Sequence, residues 1–189
     1  MRGEKREWIL RILLNSKDSL SKSEIAKRAG CSRQWVILFL RELEKHKYIK
    51  GTKPINPKKL LQYWISISQK PKKYREYMVK EPLKLLKSNQ KEYALTTYQA
   101  ETLVQHYLFP SRIDTYIKTE DLDAWHTLMT KNGLYGKGNV RIIPYDEHIM
   151  DGKQMIKGLS LVSLPQLIVD LTHEGGPCKE AAGMLMERI

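Results

Sequence analysis

Apolar positions recur at helical spacing through the first sixty-odd residues, then give way to short alternating runs separated by helical stretches. Trp8, Ile9, Ile12 and Leu13 predict a helix over Glu4 to Asn15. Ser21-Lys22-Ser23-Glu24 has the spacing of a capping box, in which the serine hydroxyl accepts an early backbone N–H and the glutamate reaches back. A short helix over Lys22 to Ala29 follows, with Ile25 and Ala26 inward. Gly30 suits the left-handed residue after a helix end, and Cys31 reads as a structural residue of the turn. Ser32 is a natural N-cap for a third helix reaching about Lys47. Val36, Phe39, Leu40 and Leu43 form its core stripe. The opposite face collects Gln34, Leu38, Arg41 and Lys45, with Arg33 and Ile37 at its edge. Trp35 is expected to cap the edge of the core or pack against another part of the chain, with a contact to a thymine methyl or a sugar, or a dimer contact, as the alternatives. Tyr48-Ile49-Lys50 predicts a strand, and Gly51 to Pro57 has the composition of a turn, so a short wing is expected here.

Lys58 to Ser68 carries Leu60, Leu61, Tyr63, Trp64 and Ile67 at amphipathic spacing, and Pro71 ends that pattern. Lys70, Lys72, Lys73 and Arg75 form a basic run with Tyr74 and Tyr77 interleaved, and a helix is expected over Pro82 to Leu86. From Tyr93 the pattern alternates. Strands are expected at Tyr93–Thr96, Ile113–Ile117, Val140–Pro144 and Leu159–Val162. Helices are expected at Thr97–Tyr107, from a Thr119 cap to about Asn132, at Leu164–Thr172 and at Lys179–Arg188. The expected fold is a two-domain α+β or α/β chain. A winged helix-turn-helix over 1–57 leads through a basic helical connector over 58–91 to a small α/β domain over 92–189.

The chain has 189 residues, 33 Lys+Arg and 21 Asp+Glu, a net charge of +12, and 41% apolar residues. That composition is globular and excludes a disordered chain. No apolar run approaches the roughly 20 residues of a bilayer span. The first residues carry no apolar leader, and Cys31 and Cys178 are far apart, so a cytoplasmic protein is expected. Charge is uneven. Residues 1–92 hold 24 Lys+Arg against 9 Asp+Glu, whereas residues 93–189 hold 9 against 12. A polyanionic partner for the first half follows. On a helix of this type, Arg pairs with guanine and Gln with adenine in the major groove. Ser32, Arg33, Gln34 and Arg41 are therefore the expected readers of double-stranded operator DNA. Lys22, Lys45, Lys50 and Lys53 are the expected phosphate contacts. Two-fold operators are common for such domains, which leaves room for a homodimer, although no helix stands out as a dimerisation element.

Catalytic chemistry is not visible. No Cys/His set has zinc spacing, and Gly133, Gly136, Lys137 and Gly138 lack P-loop spacing and read as a turn. Asp121 and Asp123 open a helix, where the dipole favours acids in any case. His106, His126, His148 and His173 are scattered, and Asp170 reads as a capping or packing group. No catalytic residue, cofactor or metal is expected. Two rivals stand beside the regulator: a small-molecule-sensing winged-helix regulator, and a nuclease or nucleotidyltransferase using Asp121 and Asp123.

The end of the chain carries a family likeness. Val162-Ser163-Leu164-Pro165-Gln166-Leu167-Ile168-Val169-Asp170-Leu171, then Gly175-Gly176 and Glu180-Ala181-Ala182, resembles the closing motif of AbiEi-type antitoxins of type IV toxin–antitoxin (abortive infection) systems. Leu60-Leu61 with Trp64, Tyr93-Ala94-Leu95-Thr96, Tyr116 and Asn139-Val140 agree in order, so the likeness spans nearly the whole chain. The resemblance implies an autorepressing transcriptional regulator whose C-terminal domain counteracts a nucleotidyltransferase-type toxin. The chain departs at Thr97, where family members often have Gly.

Overall fold

A computed structural model describes residues 2–189 as a mixed α/β protein that divides into two compact units. The first comprises 1–69 with 186–189, and the second 70–185. Among the described residues, no helix is long and apolar enough to cross a membrane.

The first unit is built by helices α1 (Arg2–Asn15), α2 (Lys22–Arg28), α3 (Arg33–Lys45) and α4 (Pro57–Ile67), with strands β1 (Ile49–Lys50) and β2 (Lys53–Pro54) between α3 and α4. Ile9, Leu10, Ile25, Val36, Leu43, Leu60 and Trp64 are completely buried and make its core. Arg11 is buried among them, its guanidinium 5.3 Å above the Trp64 ring. Ser21 caps α2 by accepting Glu24 N at 3.1 Å. The reciprocal half of the expected capping box is replaced, because Glu24 pairs with Arg28 Nε at 2.7 Å one turn along. The α2 end closes as a Schellman turn. Gly30, at φ 55°, donates to Lys27 O, and Cys31 donates to Ala26 O. Strands β1 and β2 pair antiparallel through a tight turn at Gly51, with Lys50 directly opposite Lys53.

The expected connector over 58–91 is not a separate element. Its first part, α4, packs on α1 in the first unit, because Leu60, Leu61 and Trp64 are a core face that needs covering. The rest belongs to the second unit. There the basic run passes into strand β3 (Arg75–Val79), followed by α5 (Pro82–Ser88). After these come β4 (Tyr93–Thr96), α6 (Thr97–Val104), β5 (Ile113–Lys118), α7 (Leu122–Lys131), β6 (Gly133–Tyr135), β7 (Val140–Tyr145), β8 (Gln154–Ile156), β9 (Leu159–Leu161), α8 (Leu164–Glu174) and α9 (Pro177–Met186). Seven strands form one mixed sheet in the order β6-β3-β7-β5-β4-β9-β8. The pairs β5–β7 and β4–β9 are parallel, and the other pairs are antiparallel. Helix α6 packs on β4, β5 and α8, while α7 packs on β3 and β6. Thr119 does not cap α7. It lies in a 3-10 turn and its hydroxyl donates to Tyr145 O at 3.0 Å.

Candidate nucleic-acid interface

Helix α3 is fixed by its own sequence. Ser32 accepts Trp35 N at 3.2 Å, and Val36, Phe39, Leu40 and Leu43 are buried on the core side. With that stripe inward, Ser32, Arg33, Gln34, Leu38, Arg41 and Lys45 are exposed. The far end is pinned to the hairpin, because Glu44 Oε1 accepts Gly51 N at 2.6 Å. The hairpin turn is also tied to the α1–α2 loop by the Ser19 and Thr52 hydroxyls, 2.8 Å apart. Lys50 and Lys53 are both exposed on this anchored hairpin.

The first unit is strongly basic and, among the described residues, most of its cations carry no ion pair. The first unit has 17 Lys+Arg against 7 Asp+Glu. Three of its cations are paired: Arg6 with Glu42 at 3.1 Å, Arg28 with Glu24, and Lys58 with Glu187 at 2.7 Å. Among the described residues, Arg33, Arg41, Lys45, Lys50 and Lys53 carry no ion pair. Lys22 is half-buried at the start of α2. The Ser32 oxygen is used for capping, which leaves its hydroxyl hydrogen to donate outward. Trp35 packs at the core edge, its ring tilted against that of Phe39 with centroids 5.6 Å apart. Trp35, Leu38, Phe39, Arg6 and Glu42 line an open groove of about 380 Å³. Burial pushes the Cys31 thiol above its ordinary range, as befits an inert residue in the turn.

The second unit holds a polar network that the sequence did not announce. Glu76, Arg141, Asp114 and Thr96 stand directly opposite one another on β3, β7, β5 and β4. Asp114 is almost fully buried. It accepts Arg112 Nε at 2.5 Å, Arg112 Nη2 at 2.8 Å and Thr97 Oγ1 at 2.6 Å. Arg141 Nη2 pairs with Glu76 at 3.0 Å and the guanidinium lies 4.1 Å from the Tyr74 ring. Asp170 accepts from Thr96 at 2.5 Å, Gln166 at 2.8 Å and Tyr116 at 3.1 Å, which makes it a packing polar group. Glu174 binds Lys70 at 2.5 Å and Arg112 at 3.1 Å. Burial opposes its charge, but these two cations win and hold its carboxyl below the usual range. Burial, with Lys70 nearby, depresses the His173 imidazolium. The cavity over this row encloses about 20 Å³, room for a water-sized group rather than a metabolite. A signal was present in the alternation of Ile113 to Ile117, which sets Asp114 and Tyr116 on one strand face.

Asp121 and Asp123 do not converge on a shared site. Asp121 pairs with Lys91 at 3.1 Å, and Asp123 lies 3.6 Å from Arg75. Among the described residues, no three His, Cys, Asp or Glu side chains are grouped to hold a metal ion. Comparison of the chain with family models, curated proteins and solved structures finds no match in any of the three.

Proposed function

We propose that the protein is a sequence-specific regulator that binds double-stranded operator DNA through its first unit. In this reading α1–α3 and the β1–β2 hairpin form a winged helix-turn-helix, with α3 in the major groove. The observation that carries it is the outward face of α3, where exposed basic and amide side chains stand without ion pairs beside a hairpin bearing two more exposed lysines. A basic face left unneutralised suits a polyanion. Arg33 and Gln34, at the N-terminal end of α3, read base edges, with Arg41 two turns beyond Gln34 and Ser32 donating to a base edge or phosphate. Lys22, Lys45, Lys50 and Lys53 hold the phosphate backbone and carry no sequence information.

The resemblance to AbiEi-type antitoxins supports a narrower form of the proposal, an autorepressor acting in the cytoplasm whose α/β unit counteracts a nucleotidyltransferase-type toxin. A promoter–reporter fusion, with co-expression of a nucleotidyltransferase encoded beside this gene, tests both parts. The broader claim is tested by binding to the DNA upstream of the gene and to random duplex of equal length across a salt series. A specificity ratio of about a thousand or more at physiological salt is expected. Replacing Arg33 or Gln34 with Ala should cost about 1–3 kcal/mol on the preferred sequence and much less on random duplex. Equal losses on both would reduce α3 to an electrostatic anchor and defeat the readout claim.

A further inference from the structure

We infer that Leu38 reads the 5-methyl group of a thymine in the major groove. The inference rests on the DNA-binding reading above and adds a specificity-determining residue to it. At 100° per residue, Gln34, Leu38, Arg41 and Lys45 fall within an arc of about 60°. Leu38 therefore sits inside the reading face, one turn beyond Gln34 and one turn before Arg41. It is 58% exposed, and the buried stripe of α3 is complete without it. A leucine here stands outside the buried stripe and holds apolar surface in water.

The major groove explains such a residue. It displays hydrogen-bond donors and acceptors on every base pair, and its apolar feature is the thymine methyl. A leucine pressed on guanine, adenine or cytosine edges would strip their polar atoms of water and return no hydrogen bond. Against a thymine methyl, both partners lose apolar surface to water and no polar atom is orphaned. Neighbouring Gln34 and Arg41 then read the polar edges on either side. Base recognition by α3 thus has an apolar component flanked by polar ones.

The test uses the full-length protein and a duplex selected by it from a random pool. Each selected thymine is replaced in turn by uracil, which removes the methyl group and leaves the pairing edge unchanged. One such replacement should weaken the wild type about fourfold, the effect of burying one methyl-sized group. Leu38→Ala should bind the thymine duplex about as weakly as the wild type binds the uracil duplex, and should be indifferent to that replacement. Leu38→Met should restore the discrimination. Thermal unfolding of each variant confirms that the helix is intact, as expected for an exposed position. A uracil effect that persists unchanged in Leu38→Ala overturns the inference and moves the contact to another side chain. So does a wild type insensitive to every uracil, or a Leu38→Ala variant that binds all duplexes like the wild type, which would leave Leu38 to the groove it shares with Trp35. If no sequence is enriched from the pool, the DNA-reading proposal itself has failed, and this inference falls with it.

Discussion

Thr97 has φ at 49°, a left-handed conformation at a β-branched residue, and it opens α6 directly after strand β4. Such a conformation costs roughly 1–2 kcal/mol for a residue with a Cβ. It persists because the hydroxyl donates to buried Asp114 at 2.6 Å, a charge-assisted bond in a site closed to water. The two contributions can be separated by paired substitutions. Thr97→Ala loses the bond and keeps the strain, whereas Thr97→Gly loses the bond and relieves the strain. The glycine variant should be the more stable of the two by about 1–2 kcal/mol in urea unfolding. Equal stabilities would mean that the backbone at 97 is not under strain. The same position shows what a sequence conceals. A left-handed position that ordinarily favours Gly holds Thr97 because Asp114, seventeen residues away, supplies a partner. Caps and helix stripes were legible because they are local: Ser21 and Ser32 both cap as their spacing predicts. The Asp114 network was not, since it joins Arg112, Thr97 and, through Arg112, Glu174 across separate elements.

At the scale of elements, α1 to α4 lie close to where their apolar periodicity places them, the two-residue β2 lies inside the stretch read as a turn, and β3, β6 and β8 were missed. Each has a physical reason. Strand β3 follows directly on a lysine run, so its charge hid the alternation of buried Tyr77 and Val79 around exposed Met78. Strand β6 is three residues long and begins at a glycine, and β8 is an equally short edge strand. The glycines read as a turn turn out to permit close packing against β3. A Cβ built on Gly138 would lie 2.2 Å from Tyr77 O, and one on Gly133 would lie 2.2 Å from Met78 O. The next residue, Asn139, continues the pairing with its side chain, donating to Val79 O and accepting Val79 N, both at 2.9 Å. Because a backbone carbonyl blocks the site, Gly138→Ala should destabilise the second unit by about 1–3 kcal/mol, seen as a lower urea midpoint. An unchanged midpoint would show that the backbone at 138 can move away from β3 at little cost.

For the whole molecule, the charge divides more sharply along the observed units than its total suggests. The first unit has an excess of ten cations, while the second has 16 Lys+Arg against 14 Asp+Glu. Many cations of the second unit are already engaged, as Arg112 is with Asp114 and Glu174, and Lys118 and Lys153 both are with Glu92. If DNA is bound by the first unit, the salt dependence should therefore respond to its exposed lysines. Lys50 and Lys53 face each other across the hairpin and are the cleanest pair to remove, since neither joins an ion pair or contributes to the core. Each phosphate contact contributes about 0.9 to the slope of log affinity against log salt concentration. Replacing both lysines by alanine should flatten that slope by about 2, and should weaken preferred and random duplexes by the same factor. A slope unchanged by the double substitution would take the hairpin off the phosphate backbone. Loss confined to the preferred duplex would instead make these lysines part of base readout. The contrast with Arg33 and Gln34 is the informative one, because on the proposed reading the positioning charges and the reading side chains lie on adjoining parts of one unit yet must fail in opposite ways.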